Sequence, residues 1–185
     1  MFDKLDKELK KLPKNFVVGI VASSDKYKEA NLHILDFLVN KQGATGSYIT
    51  TNMPYTSLVE TIKEKNINPE KLHFIDCITE KAGGELPKAK NCVFVSSPSH
   101  LTELSAALHN YISSGPGENR FLHLDSLSTL CIHNKMKDIL RFTHYLSSKG
   151  RVFGLRGIVI SLRGKTDKLL IDKLNQICDK VVQVG

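Results

Sequence analysis

The sequence predicts an α/β protein: a three-layer αβα sandwich around a mostly parallel central sheet. Short apolar runs rich in β-branched residues alternate with segments of helical period from Phe16 to Val184, which calls for parallel strands with helices on both faces. No internal repeat, low-complexity segment or linker interrupts that alternation. The whole chain, 1–185, therefore reads as one domain, with a helix over 2–12 attached to a core over 16–184.

Phe2, Leu5, Leu9 and Leu12 fall at helical spacing, so the chain opens with a short amphipathic helix that Pro13 ends. That helix either packs on its own domain or docks on a neighbour. Phe16–Val21 is a buried strand. Lys28–Lys41 is a helix with Leu32, Leu35 and Val39 on its apolar face, broken by Gly43 and Gly46. Ser47–Thr51 is a second strand, and Tyr55–Lys65 a helix started after Pro54. His73–Cys77 is a third strand, followed by the loop KAGGELPKAKN and a fourth strand, Cys92–Ser96. Pro98–Ser113 is a helix, Ser114–Asn119 a loop and Phe121–Asp125 a strand. A helix over Lys135–Ser148, a strand over Gly157–Leu162, a helix over Thr166–Ile177 and a strand over Lys180–Val184 complete the order.

Composition limits function. No apolar run approaches the roughly 18 residues of a membrane span. The charged N-terminus lacks the apolar stretch of a secretory signal, so a cytoplasmic location is expected. The four cysteines form no CxxC pair, and three lie in apolar surroundings, as small buried hydrophobes do in a reducing compartment. Cys131 and His133, with His123 upstream, do not complete a metal-ligand pattern. The seven histidines show no triad, and Ser99-His100 has no activated nucleophile beside it. The net charge of +7 raises nucleic acid as a partner, but 21 of the 26 basic residues are lysine. Those lysines are interleaved with acids, as on a solvated helix face, and this argues against base or phosphate readout.

In sheets of this kind ligands sit at the carboxyl ends of strands. The candidates are Ala22–Lys28, Thr51–Pro54, Ser96–His100, Asp125–Thr129 and Ser161–Lys165. In HLDSLSTL, Asp125 at a strand end is placed to hold magnesium beside a nucleotide; alternatively Asp125 or Ser126 caps the helix that follows.

Several segments together carry a resemblance to the RecA-like P-loop ATPases, most closely their archaeal and bacterial KaiC-like branch. HLDSLSTL looks like that family's Walker B strand, GSYITTN like the strand after its P-loop helix, and HFIDCIT like the next strand. SSPSHLTELSAAL resembles the segment before Walker B. The tail IVISLRGKTDKLLIDKLNQICDKVVQV, with Asp179 before its last strand, is similar to the family's final two strands. The likeness spans residues 16–184 and implies a RecA-like central sheet.

The same resemblance implies a degenerate phosphate site. A Walker A loop, GxxxxGK[ST], needs glycines for converging amides, a lysine for the outer phosphates and a hydroxyl for magnesium. Setting Phe37-Leu38 on the family's apolar pair puts Ser24 and Glu29 at the two glycines, Ala30 at the lysine and Asn31 at the hydroxyl. All four positions differ, and Glu29 puts a carboxylate where phosphate would sit. Lys26 and Lys28 are the positive charges nearby. The family's catalytic glutamate also has no counterpart, because Thr50, Thr51 and Asn52 cannot act as a general base.

The favoured expectation is a non-catalytic domain acting as a regulatory or scaffolding module for a protein partner, without a cofactor and self-associating no further than a dimer. The first alternative is an ATP-binding protein or slow ATPase with a rebuilt loop. In it Ser24, Lys26, Lys28 and Asn31 hold phosphate, while Asp125 and Ser126 hold magnesium. The second alternative is a nucleic-acid-associated accessory protein.

Overall fold

The computed structural model describes residues 2–115, 118–164 and 168–185. In it α1 (Phe2–Lys10) precedes β1 (Val17–Ala22), which turns into α2 (Tyr27–Leu35). A π-helical stretch, Asp36–Lys41, continues α2 to β2 (Thr45–Thr50). Then come α3 (Tyr55–Glu64), a 3-10 turn at Pro69–Lys71, β3 (Leu72–Asp76) and the short β4 (Cys92–Phe94). The second half runs α4 (Leu101–Ser113), β5 (Arg120–Asp125), α5 (Leu127–His133), α6 (Met136–Val152) and β6 (Arg156–Leu162). The chain ends with α7 (Lys168–Ile177) and β7 (Lys180–Val184).

The seven strands form one sheet in the order β4-β3-β2-β5-β6-β1-β7. Every neighbouring pair is parallel. Strand alternation divides the core in two. Val18, Ile20, Tyr48, Phe74, Phe121 and Ile158 face one side with residues of α1, α2 and α3. Val17, Ile49, Ile75, Leu122, Leu124 and Val159 face the other with α4, α5, α6 and α7. β1 is buried along its whole length, since it lies between β6 and β7 and is covered on both faces.

α1 lays Leu5 and Leu9 on this core, 1% and 3% exposed. Its polar side adds ties to neighbouring elements: Asp6 to His33 at 2.6 Å and to Lys41 at 3.0 Å, Glu8 to Lys180, and Phe2 stacked on the His33 ring.

Several boundaries differ from the sequence expectation for local reasons. The helix expected over Lys28–Lys41 widens after Leu35, where Gln42 N–H reaches back five residues to Phe37 O. The wider turn lets three consecutive residues, Phe37, Leu38 and Val39, all enter the core. The fourth strand stops at Phe94, and Ser97–His100 form a turn before α4. α5 is a helix absent from the expected order. It is started by Ser126, whose Oγ accepts the Thr129 N–H at 3.3 Å. Thr166, the expected start of the last helix, lies outside the described residues. Of the cysteines, Cys77 and Cys178 are buried, whereas Cys92 on the edge strand and Cys131 near the end of α5 are half-buried. Among the described residues no helix is long and apolar enough to cross a membrane.

Gly46 marks the tightest packing between β2 and β5. A Cβ added there would stand 2.4 Å from the ring of Phe121, which is fully buried and has no room to withdraw. We predict that Gly46→Ala destabilises the fold by about 1–3 kcal/mol, read as a lower urea midpoint with an unchanged slope.

Candidate functional site

β1 ends at Ala22, and only four residues, Ser23–Lys26, separate it from α2. The turn is tight. Ser23 N–H donates to Val184 O at 2.9 Å, Lys26 N–H to Ser23 O at 3.0 Å, and Ala30 N–H already makes a helical bond to Lys26 O. A cradle of amides requires a left-handed residue among right-handed ones. Among the described residues only Asn66 and Asn119 have positive φ without being glycine, and neither is in this turn.

The six sequence-predicted site residues separate into two groups. Ser24 and Lys28 are exposed, and Lys28 lines an outer groove with Asp25, Leu32 and Asp36. Lys26 is half-buried and pairs with Glu29 at 3.1 Å, so the carboxylate at the helix start takes up the nearest positive charge. Ala30, at the position matched to the P-loop lysine, is fully buried. Asn31, Asp125 and Ser126, by contrast, are members of one buried network.

In that network Asn31 Nδ2 donates to Tyr27 O at 3.3 Å, so its Oδ1 is the acceptor facing His123 Nε2 at 2.7 Å. The Nε2 of His123 therefore carries the ring proton. Burial pushes the His123 pKa down to about 3, leaving the ring neutral, with Nδ1 buried and unpartnered. The ring stacks on Tyr48 with centroids 4.8 Å apart. Burial raises the Tyr48 phenol above its usual range, and the hydroxyl donates to Asp125 Oδ2 at 2.5 Å.

Asp125 ends β5, and burial pushes its pKa up to about 7. Its other oxygen, Oδ1, faces Asn52 Nδ2 at 3.4 Å. The same amide lies 3.4 Å from Ser126 Oγ and donates to the Tyr27 hydroxyl at 2.9 Å. Thr129 Oγ1 donates to Asn52 Oδ1 and fixes the direction of the amide. Thr51 holds the backbone below: its N–H and its Oγ1 both donate to Asp125 O, and its Oγ1 accepts the Ser126 N–H. Tyr27, at the first turn of α2, thus reaches over the strand ends to the residue that touches Asp125.

Sequence reasoning missed Tyr48 and the placement of His123, and it gave Tyr27 and Thr129 only as members of the strand-end stretches Ala22–Lys28 and Asp125–Thr129, without a role. One signal was available. Tyr48 and His123 are polar residues inside apolar strands, and the register of β2 against β5 puts them opposite each other. Asp76 shows the contrast. It ends β3, yet its oxygens accept the amides of Tyr55, Ile78 and Thr79 at 2.7–2.9 Å, so it is spent on capping α3 and the next turn.

No catalytic relay forms at the strand end Ser96–His100. Ser99 Oγ bonds Ser97, and His100 Nδ1 lies 2.6 Å from Ser96 Oγ. Glu103 touches that same serine at 2.5 Å rather than the far side of the imidazole, and it also accepts the Ser96 N–H. The carboxylate is thereby fixed to the serine it would have to activate through histidine. Among the described residues no cluster of His, Cys, Asp and Glu is arranged to hold a metal.

Asp125 gives a pH test with a definite sign. Its folded pKa of about 7 lies above its ordinary value of 3.8, so its contribution to stability is largest below pH 3.8 and is lost as pH rises through 7. Asp125→Asn cannot ionise. Relative to the parent, this variant should gain stability between about pH 4 and pH 8, by on the order of a few kcal/mol. Urea unfolding of both proteins across that range measures the difference, and a flat difference refutes the assignment.

No family model and no curated protein matches the sequence. Solved structures do match in fold. The uncharacterized protein PH0321 from Pyrococcus horikoshii, in complex with an unknown peptide, superposes with a TM-score of 0.69 at 13% identity, over 98% of this chain and 82% of that one. The KaiC-like protein PH0186 from Pyrococcus horikoshii OT3 gives 0.64 at 14% identity, over 93% and 72%. A third solved structure, an ATPase domain, gives 0.59 at 14% identity, over 98% and 73%. At this identity the likeness is one of fold, and the seven-stranded parallel sheet covered on both faces is the RecA-like α/β fold of these neighbours.

Proposed function

We propose that the chain is a non-catalytic domain of RecA/KaiC-like ATPase fold, working as a regulatory or scaffolding module that binds another protein. The observation that carries this reading is the hydrogen bond from Asn52 Nδ2 to the Tyr27 hydroxyl. In a P-loop ATPase the phosphates and magnesium lie between the start of the first core helix and the strand-end aspartate. Here a tyrosine of that helix crosses to the residue beside the aspartate.

Four further features support the reading. The turn before α2 has no residue in the left-handed region, and its half-buried lysine is paired with Glu29. Asp125 spends Oδ2 on Tyr48, so binding magnesium through it would cost that contact. Thr50, Thr51 and Asn52 offer no carboxylate to activate water. Asn31, matched to the magnesium hydroxyl, turns to His123 instead. These residues do not fit a nucleotide with its magnesium ion. For the interaction half, PH0321 supplies a protein of the same fold in complex with a peptide. The lysine-rich, arginine-poor charge favours protein over nucleic acid as the partner.

Thermal unfolding with and without ATP and magnesium tests the loss of the site. The melting temperature should not move, because a ligand raises stability only by binding the folded state; a magnesium-dependent rise would sink the proposal. An array of peptides probed with the purified chain tests the interaction half. Saturable binding to a restricted set is expected, and binding no stronger than that of an active RecA-fold ATPase control counts against it.

A further inference from the structure

At the opposite end of the sheet, where the strands begin, lies a hollow of about 380 Å³. The linker from α1 to β1 forms one wall, and Gln42, Asn119, Gly154 and Arg156 form the others. Two arginines border it, but strand alternation sends them to different faces. Arg120 shares its face with Leu122 and Leu124, under α4, where its guanidinium donates to Tyr111 O at 2.6 Å and Gly115 O at 2.8 Å and caps that helix. Arg156 shares its face with Ile158 and Ile160, the side of α1 and α2, and is the arginine that faces the hollow.

Arg156 is held in place. Its guanidinium donates to Asn119 Oδ1, while Asn119 Nδ2 donates to Gln42 O at 3.1 Å and Asn119 O accepts Thr45 N–H at 3.2 Å. Among the described residues no carboxylate pairs with Arg156, Lys10 or Lys14, and no acidic residue lines the hollow. Half-burial lowers the Arg156 pKa from its usual range, the mark of a charge without an anionic partner.

A competing account is that these cations only offset helix ends. Three helical segments finish here: α1 at Lys10, the π-helical stretch at Lys41 and α6 at Val152. Each end carries about half a negative charge, so together they balance roughly half of the three formal positive charges. Several carbonyls of their last turns are also already engaged: Glu8 and Leu9 by Lys11 and Leu12 N–H, Phe37 by Gln42 N–H, and Gly150 by Leu155 N–H. A positive excess remains, facing the hollow.

We propose that this hollow binds a small organic oxyanion, a phosphate monoester or a carboxylate on a compact apolar body, with Arg156 as the main contact and Lys10 and Lys14 at the rim. The guanidinium fork matches either oxyanion with paired hydrogen bonds. The apolar body has Leu12, Pro13 and Phe16 to lie against. The volume is near the lower end of ligand pockets, about 300–1,000 Å³, which suits a small molecule and leaves no track for a nucleic-acid backbone. The site is independent of the reading of Asp125, being at the other end of the strands.

The test is a titration of the full chain followed by amide NMR, with phenyl phosphate, benzoate, inorganic phosphate and neutral benzyl alcohol as probes. Saturable shifts centred on Asn15, Gln42, Asn119 and Arg156 are expected with phenyl phosphate or benzoate. The stronger of the two identifies the oxyanion, and inorganic phosphate shows what the apolar body adds. Arg156→Gln should weaken binding at least about tenfold. Lys14→Gln, at an exposed position that the fold does not need, should weaken it about two- to fivefold. No saturable shift up to about 10 mM, equal shifts with benzyl alcohol, or unchanged affinity in both variants overturns the proposal.

Discussion

The carboxyl end of the sheet depends on the hydrogen bond between Tyr48 and Asp125. Asp125 ends a central strand between β2 and β6, and only 6% of it reaches solvent. A carboxylate in that position has to be paired or neutralised, because burying it unsatisfied costs several kcal/mol. The Tyr48 hydroxyl meets one oxygen. The phenol ring is in turn placed by its stack on His123, and His123 by the Asn31 side chain. A requirement at β5 thus reaches α2, 92 residues away in sequence at the Asn31–His123 bond. Tyr27 and Asn52 make a second tie between the same helix and the β2 end. Two latches hold the first turns of α2 over the sheet.

The two ends of the sheet manage charge in opposite ways. At the carboxyl ends helices begin, and carboxylates suit their positive ends. Asp76 is satisfied there by three amides. Asp125 has a hydroxyl and one long amide contact instead, and burial raises its pKa to about 7. At the amino ends helices finish, and Arg120 caps α4 by its carbonyls. Arg156 has no such carbonyl set; its guanidinium donates to Asn119 Oδ1 at the wall of the hollow.

Much of the fold was legible because strands covered on both faces read as plain apolar runs, as VVGIVA does in β1. The capping role of Ser126 was legible as an alternative, since a serine before an apolar stripe is a cap signal. The seven-residue α5 was not, because so short a segment carries too few turns for a period to show. The π-helical stretch was hidden for a related reason: DFLVN puts apolar residues in sequence rather than at helical spacing, and only the core shows that all three are buried. The site was least legible at Tyr27. The helix was expected from Lys28, whereas α2 starts one residue earlier, at Tyr27, after a four-residue turn. Turn length is not readable from residues that favour no particular turn, and the network it permits joins partners far apart in the chain.

An aspartate at the end of a central strand poses one electrostatic problem with two available solutions. In a phosphoryl-transfer enzyme the negative charge is matched by a magnesium ion shared with the nucleotide, so the site is complete only when loaded. In this chain a buried phenol and a carboxamide meet the carboxyl group directly, and a pKa of about 7 lets a proton take the place of the metal charge near neutrality. The second solution needs no ligand, and it draws helix and strands together over the place where the first would put one. The geometry that makes the end of β5 self-sufficient is thus the same geometry that argues against its use for catalysis.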